Sequence, residues 1–161
     1  MKSQFKIRDA IASDTPQIFS LIQALAEYEK LTHQVTGTAE DLQQHLFGDR
    51  IYAEAIVTEI EDKIVGFGLF ISNYSTFLTK PGIYLEDLFV LPEYRRQGIG
   101  KAMLSYLGKL ALKRGAGRLE WSVLDWNASA IAFYQKMGAT VLPDWRICRV
   151  TDSALQRLGE P

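Results

Sequence analysis

Residues 83–101, with the sequence IYLEDLFVLPEYRRQGIGK, determine the fold of this chain. Strand-forming residues dominate from Ile83 to Leu91, and Pro92 cannot continue a central strand. Gly98 then precedes a helical pattern that runs to Arg114. Its apolar stripe comprises Ile99, Met103, Leu107, Leu110 and Ala111. The stretch therefore predicts a strand, a glycine-containing turn and a helix.

This turn has the chemistry of a phosphate site. The first N–H groups of a helix lack partners and favour an anion, and glycines let a ligand approach the backbone. Residues 95–118 carry seven basic and no acidic side chains, among them Arg95, Arg96 and Lys101. Met103 stands where a dinucleotide fingerprint needs glycine, and Ala102 where a P-loop needs Ser or Thr. A tight turn that binds no ligand remains the alternative.

The rest of the chain predicts a mixed sheet. Strands, helices and loops are predicted in this order: strand Lys6–Arg8, a helix from Ser13 or Asp14, helix Thr38–Phe47, hairpin Ile51–Ile60 with Ile64–Ser72, loop Asn73–Gly82, strand Ile83–Leu91, helix Gly98–Arg114, strand Arg118–Leu124, helix Asn127–Met137, and final strands at Thr140–Val141 and Trp145–Val150. This order predicts an α/β (α+β) fold with helices on both faces of the sheet. No linker divides it, so we expect one domain over residues 1–161.

Composition excludes several classes of protein. The 161 residues are 47% hydrophobic and 23% charged with a net charge of −1, so no basic field indicates nucleic acid. The single cysteine, Cys148, makes no internal disulfide, and no Cys/His cluster predicts a metal site. The apolar run Ile64–Ile71 is too short to span a membrane. No apolar run directly follows Met1–Lys6, as a signal peptide would require. We therefore expect a cytoplasmic protein without a signal peptide.

Several motifs together resemble one enzyme family. Arg95-x-x-Gly98-x-Gly100 after a strand ending Leu88–Tyr94 is similar to the acetyl-CoA-binding motif of the Gcn-related N-acetyltransferase (GNAT) superfamily. Further matching segments are Leu85–Asp87, Asp125–Asn127, Phe133–Ala139 and Ala26–Glu29, which resemble the spermidine/spermine and thialysine acetyltransferase branch. The resemblance implies a central, mostly antiparallel twisted sheet with helices on both faces. It also implies acetyl-CoA as acetyl donor, no metal, and a homodimer.

The resemblance assigns residues to acetyl-CoA. The turn would hold the pyrophosphate, the main chain of the preceding strand would pair with pantetheine, and the start of the helix at Asn127 would line the coenzyme. Asn127 is also a good helix N-cap, whatever it binds. The coenzyme-binding residues implied are Leu88, Phe89, Val90, Arg95, Arg96, Gln97, Gly98, Ile99, Gly100, Lys101, Asn127, Ala130 and Tyr134.

The resemblance also assigns the chemistry. Tyr134 would protonate the departing thiolate, because a phenol with a pKa near 10 is protonated at neutral pH. Glu86 would act as the base, because an alkylammonium cannot attack a thioester. The residues that would contact the acceptor are Tyr28, Glu29, Glu86, Asp87 and Trp121. Core packing of the aromatic side chains and solvation or ion pairing of the carboxylates remain the alternatives.

The function that the resemblance implies is acetyl transfer to a primary amine of a small molecule, such as a polyamine, a diamine or a lysine analogue. The polyamine enzymes carry a longer acidic loop before a Trp-Arg pair. Here the segment Thr140–Asp144 before Trp145 is short and offers a single carboxylate, Asp144, so a smaller amine is equally credible. The alternatives are a protein lysine or N-terminal acetyltransferase and a non-catalytic acyl-CoA-binding module.

Overall fold

A five-stranded mixed sheet forms the centre of the fold in the computed structural model, which describes residues 4–161. The strands are β1 (Lys6–Asp9), β2 (Glu54–Ile60), β3 (Lys63–Ser75), β4 (Lys80–Val90) and β5 (Leu119–Trp121). They lie side by side in sequence order, antiparallel except for the parallel pair β4–β5. The predicted mixed, mostly antiparallel sheet is confirmed.

Residues 4–161 form five α-helices. They are α1 (Thr15–Tyr28), α2 (Ala39–Phe47), α3 (Ile99–Lys113), α4 (Ala128–Lys136) and α5 (Asp152–Gly159). The first four lie within a few residues of their predicted positions, whereas α5 was not predicted. Within residues 4–161, no helix has the length and apolar character that crossing a bilayer requires. The prediction of no signal peptide rests partly on residues 1–3, which lie outside the described residues.

Helices cover both faces of the sheet, as predicted. Phe67 of β3 is fully buried in a cluster with Ile18 of α1 and Leu46 of α2. On the opposite face, Gly66 lies beneath α3, and a Cβ on this residue would stand 3.6 Å from the Sδ atom of Met103. Because neighbouring residues of a strand point to opposite faces, this pair places α1 and α2 on one face and α3 on the other.

The loop prediction for Asn73–Gly82 is wrong, because β3 and β4 continue through most of it. Asn73 pairs with Gly82 and Ser75 with Lys80, which leaves a four-residue turn. Thr79 adopts a positive φ of 53° in this turn. Ser, Thr, Pro and Gly make a segment look like a loop, but pairing between two long strands overrides that preference.

The described chain divides into two compact units, one ending at Ser122 and one comprising Val123–Pro161. The second unit contains α4 and α5 but no strand, so the final strands predicted at Thr140–Val141 and Trp145–Val150 are wrong for this structure. A strand needs a neighbour for its backbone hydrogen bonds, and Val123–Pro161 offers none. The single domain over residues 1–161 stays a prediction.

Candidate active site

A β-bulge in β4 lies at the predicted catalytic carboxylate. Leu85 pairs with Phe70 and Asp87 with Leu69, so Glu86 between them has no partner on β3. A bulge of this kind changes which peptide groups face each neighbouring strand. Glu86 is exposed, whereas Asp87 is half-buried and lies opposite Leu69, on the face that α1 covers.

Beyond the bulge, one side of β4 has no strand beside it within the described chain. The ladder to β5 covers only Ile83–Leu85. On the other side, the Leu91 N–H donates to the Val65 carbonyl at 2.9 Å. In an antiparallel ladder, this bond directs both peptide groups of Phe89 to β3 and those of Leu88 and Val90 away from it. Of residues 88–90, all predicted to pair with pantetheine, only Leu88 and Val90 therefore have peptide groups on the side where the coenzyme could lie.

The turn between β4 and α3 presents its N–H groups outward. Gly98 has a left-handed φ of 85°, and no side chain caps the helix there. The first helical bond runs from the Ala102 N–H to the Gly98 carbonyl at 3.0 Å, so the three preceding helical N–H groups have no partner within the helix. Nothing lies within 4 Å of the position of a Cβ on Gly98. An open, partly positive corner of this kind fits the diphosphate of coenzyme A.

Basic side chains next to this turn divide into two groups. Arg96, with a φ of 61°, and Lys101 are exposed. Arg95 is half-buried, and its Nε–H donates to the Val90 carbonyl at 2.8 Å. Its guanidinium carbon lies 4.8 Å from the ring centroid of Tyr28 and 5.2 Å from that of Phe89. Arg95, predicted to bind the coenzyme, and Tyr28, predicted to bind the acceptor, thus contact each other.

Three carboxylates gather near the bulge. Burial, followed by the negative charges of Glu86 and Glu29, raises the pKa of Asp87 to about 6. Burial also raises the pKa of Glu29, which follows the last residue of α1. Partly desolvated carboxylates favour a cation beside them, because a positive charge relieves both the desolvation and the mutual repulsion. This acidic group, Glu29, Glu86 and Asp87, is therefore suited to an ammonium ion.

Trp121 ends the short strand β5. It pairs with Leu85 of β4 and is half-buried, one residue before the bulge in the β4 register. Next to it, the Tyr84 hydroxyl and the Ser122 hydroxyl lie 2.7 Å apart. Trp121 is thus placed at the point where β5 stops pairing with β4.

The second unit carries the remaining predicted residues. The Asn127 side chain accepts a hydrogen bond from the Ala130 N–H at 3.3 Å, which makes it the N-cap of α4. Tyr134 is half-buried on the same helix, and its ring centroid lies 5.5 Å from that of Phe133. The predicted cap role of Asn127 is confirmed. The Ala130 N–H is used inside the protein.

Sequence reasoning missed three features of this site. The position of the bulge, the contact of Arg95 with Tyr28 and the raised pKa of Asp87 all depend on residues distant in sequence. No local pattern signals them. For residues 4–161, we find no group of three or more His, Cys, Asp or Glu side chains arranged to hold a metal ion.

Comparison with known proteins identifies the family. The profile of the Acetyltransferase (GNAT) family matches residues 18–139, about three quarters of the chain. The chain is 36% identical over 200 residues to the L-ornithine N5-acetyltransferase of Arabidopsis thaliana, covering 96% of this chain and 88% of that protein. It is 37% identical over 165 residues to the thialysine N-epsilon-acetyltransferase of Mus musculus, covering 96% of each.

Solved structures agree on the fold. An integron cassette protein from the mobile metagenome of V. cholerae superposes with a TM-score of 0.81 at 22% sequence identity. The match covers 100% of this chain and 99% of that chain. At this identity the likeness concerns the fold alone.

Proposed function

The chain belongs to the acetyltransferase (GNAT) family and is an N-acetyltransferase, and we propose that its acceptor is the side-chain amine of a small basic amino acid or a close analogue. The acidic group beside the unpaired stretch of β4 carries this proposal. It supplies negative charge where an amine would meet an acyl group held on that strand. Relatives that are 36% and 37% identical are named for ornithine and thialysine, which both carry such an amine.

The size of the acidic group favours a small acceptor over a long polyamine. The charges of Glu86 and Glu29 both act on the partly desolvated Asp87, so this compact group of three carboxylates suits a single ammonium. A long polyamine needs further carboxylates spaced along its length. The segment Thr140–Asp144 offers a single one, Asp144.

Acetyl-CoA is the donor in this family, and the first unit provides two surfaces for it. The N–H groups of Ile99, Gly100 and Lys101, with the charges of Arg96 and Lys101, suit the diphosphate. The outward N–H and carbonyl of Leu88 and the outward N–H of Val90 suit the amides of pantetheine, as if the coenzyme added a strand, whereas the Val90 carbonyl accepts from Arg95. Asn127, Ala130 and Tyr134 are proposed coenzyme contacts on the family resemblance alone.

The proposed chemistry is direct transfer. A carboxylate of the Glu86–Asp87 pair accepts a proton from the ammonium, and the amine nitrogen attacks the thioester carbonyl. An outward N–H group of β4 donates to the oxyanion that forms. The carbon–sulfur bond then breaks, and in the role that the family resemblance assigns to Tyr134 its phenol protonates the thiolate. The nitrogen loses its second proton to water, the phenolate takes a proton back from water, and the carboxylate releases its proton to solvent. The products are the acetamide and coenzyme A with a free thiol.

Thiol-release kinetics with acetyl-CoA test the acceptor. Ornithine, thialysine and lysine are compared with putrescine, spermidine and a lysine-containing peptide at equal concentrations. We expect the amino acids to give the highest kcat/KM. Preference for spermidine or the peptide would contradict the acceptor class and favour a polyamine or protein acetyltransferase. Coenzyme binding without turnover of any amine would leave an acyl-CoA-binding module.

The pH dependence of kcat/KM tests the base. If Asp87 accepts the proton, it must be ionised, so activity falls as the pH drops through about 6, the pKa of this carboxyl. Asp87→Asn should remove this limb together with most of the activity, whereas Glu86→Gln should keep it. Loss of the limb in Glu86→Gln alone would assign the base to Glu86, as the family resemblance implies.

The homodimer, the single domain over residues 1–161 and the cytoplasmic location are kept as proposals on the family resemblance and composition. Sedimentation velocity decides the first. A single cooperative melting transition would favour one domain over two independently folding units.

A further inference from the structure

The geometry points to Arg95 as a positioning residue that fastens the end of α1 to the end of β4 and so holds Glu29, a carboxylate of the proposed acceptor site, in place beside the acyl donor's strand. This inference rests on the proposed function. It concerns a residue that the motif places among the ligands of the coenzyme. Within the described chain, Arg95 contacts a backbone carbonyl and two aromatic rings.

The first contact, between Arg95 and the Val90 carbonyl, fixes the end of β4. The Val90 carbonyl faces away from β3, on the side where β5 pairs only with Ile83–Leu85, so within residues 4–161 no strand lies beside it there. The Arg95 Nε–H reaches it at 2.8 Å across the turn. A charged donor makes a strong hydrogen bond, and this one orients the strand's last outward peptide group. The Leu88 peptide and the Val90 N–H then remain for pantetheine.

The second contact reaches α1. The guanidinium lies against the rings of both Tyr28 and Phe89, within the range in which a cation is attracted to an aromatic face. Tyr28 is the last residue of α1, and a positive charge at a helix C-terminus is also favoured by the helix dipole. The stack therefore joins two elements distant in sequence.

The contact between Arg95 and Tyr28 affects the acidic group through Glu29, the residue that follows Tyr28. Glu29 is the C-cap of α1 and one of the two charges that raise the pKa of Asp87. Because Glu29 directly follows Tyr28, the Arg95 stack holds the end of α1 from which Glu29 acts on Asp87. Arg95 thus couples the geometry of the acidic group to the strand on which the thioester would lie.

This role requires the shape of arginine as well as its charge. A planar guanidinium stacks on a ring while its Nε–H donates in the plane, and an ammonium cannot do both. If Arg95 instead bound the diphosphate, a lysine would keep most of its effect. The substitutions Arg95→Lys and Arg95→Gln therefore separate the two roles.

The test measures acetyl-CoA affinity by calorimetry and steady-state kinetics with the best amine. For a positioning role, Arg95→Lys and Arg95→Gln should both lower kcat and raise the amine KM by about tenfold, with less than about threefold change in the acetyl-CoA Kd. Tyr28→Ala should reproduce this pattern, and Tyr28→Phe, which keeps the ring, should lose far less. A Kd that weakens in Arg95→Gln but not in Arg95→Lys would overturn the inference.

Arg114→Lys is the matched control. Arg114 also bonds a protein oxygen, that of Glu54 at 2.8 Å, and lies 5.9 Å from the Phe70 ring, but it follows the far end of α3. This variant should leave both KM values unchanged. An equal loss of activity here would attribute the Arg95 effect to general destabilisation.

A measurement without turnover keeps the inference apart from the proposed function. Melting temperatures of Arg95→Lys, Tyr28→Ala and the double variant form a cycle. The sum of the two single losses gives an expected melting temperature for the double variant. A measured melting temperature above this value would confirm the contact. Additive losses would overturn it, even if every amine were a substrate. Inactivity of the wild type towards all amines would refute the proposed function, and the cycle and the Kd comparison would still decide the role of Arg95.

Discussion

The N-termini of α3 and α4 differ in whether a side chain caps the helix. At α3, Gly98 stands at the N-cap position with a left-handed φ of 85°, and it offers no side chain to cap the helix. At α4, Asn127 occupies the same position, and its side-chain oxygen accepts the Ala130 N–H at 3.3 Å. One helix keeps its first-turn donors exposed, and the other uses a donor inside the protein.

The difference shows how the N-cap residue selects between stability and binding. A side-chain cap stabilises a helix by about 0.5–2 kcal/mol. A glycine at the N-cap gives up only a few tenths of a kcal/mol relative to such a cap, and it leaves three N–H groups and the positive end of the dipole for an anion. At α3, the exposed Arg96 and Lys101 strengthen the same field. Substitutions at both N-termini test whether α3 uses its unbonded N–H groups to bind the coenzyme and whether the cap of α4 stabilises the protein.

The largest effect is expected from Gly98→Asp. Aspartate tolerates a left-handed backbone better than most residues, so the turn can keep its shape while a negative charge enters it. Repulsion of the diphosphate should weaken acetyl-CoA binding by about two orders of magnitude, or about 3 kcal/mol. Calorimetric titration with acetyl-CoA measures this loss.

Gly115→Asp provides the control for that substitution. Gly115 has a φ of 69° just beyond α3 and nothing within 4 Å of its Cβ position. The same change there should leave the acetyl-CoA Kd unaltered. Equal losses in both variants would show that the open N-terminus of α3 is not the coenzyme site.

A smaller effect is expected at the capped helix. Asn127→Ala removes the acceptor for the Ala130 N–H and should lower the free energy of unfolding by about 1 kcal/mol. Urea denaturation measures the loss. Ser129→Ala, which removes only the hydroxyl that donates to Asn127, should cost less. An Asn127→Ala variant as stable as the wild type would contradict the cap as a source of stability.

The smallest effect is expected from single charges near α3. Lys101→Gln should raise the acetyl-CoA KM about three- to fivefold, because one exposed charge near a helix N-terminus contributes up to about 1 kcal/mol. The effect should fade at high ionic strength. Lys109→Gln, also exposed but two turns further along the helix, should change little. Equal effects would indicate a diffuse basic field in place of a local site.

Local patterns predicted the elements that carry the site. The alternation of strand formers, a proline, two glycines and a helical stripe in residues 83–114 identified β4, the turn and α3, and the capping residues located α2 and α4. The predictions were wrong where the secondary structure depends on pairing with residues distant in sequence. Residues 73–82 pair across a hairpin despite a loop-like composition, and residues 145–150 find no neighbouring strand despite strand-forming residues.

By itself, the amino-acid sequence determined the strand–turn–helix, because it depends on residues close together in the chain, and the family, because each of its motifs lies within a few residues. The anion site at the turn stays a prediction. Only the tertiary structure decided that Glu86 occupies a bulge, that Asp87 carries the raised pKa, and that Arg95 contacts Tyr28. Register, burial and stacking depend on pairs separated by many residues. Their energies exist only after the chain has folded, so no short pattern encodes them.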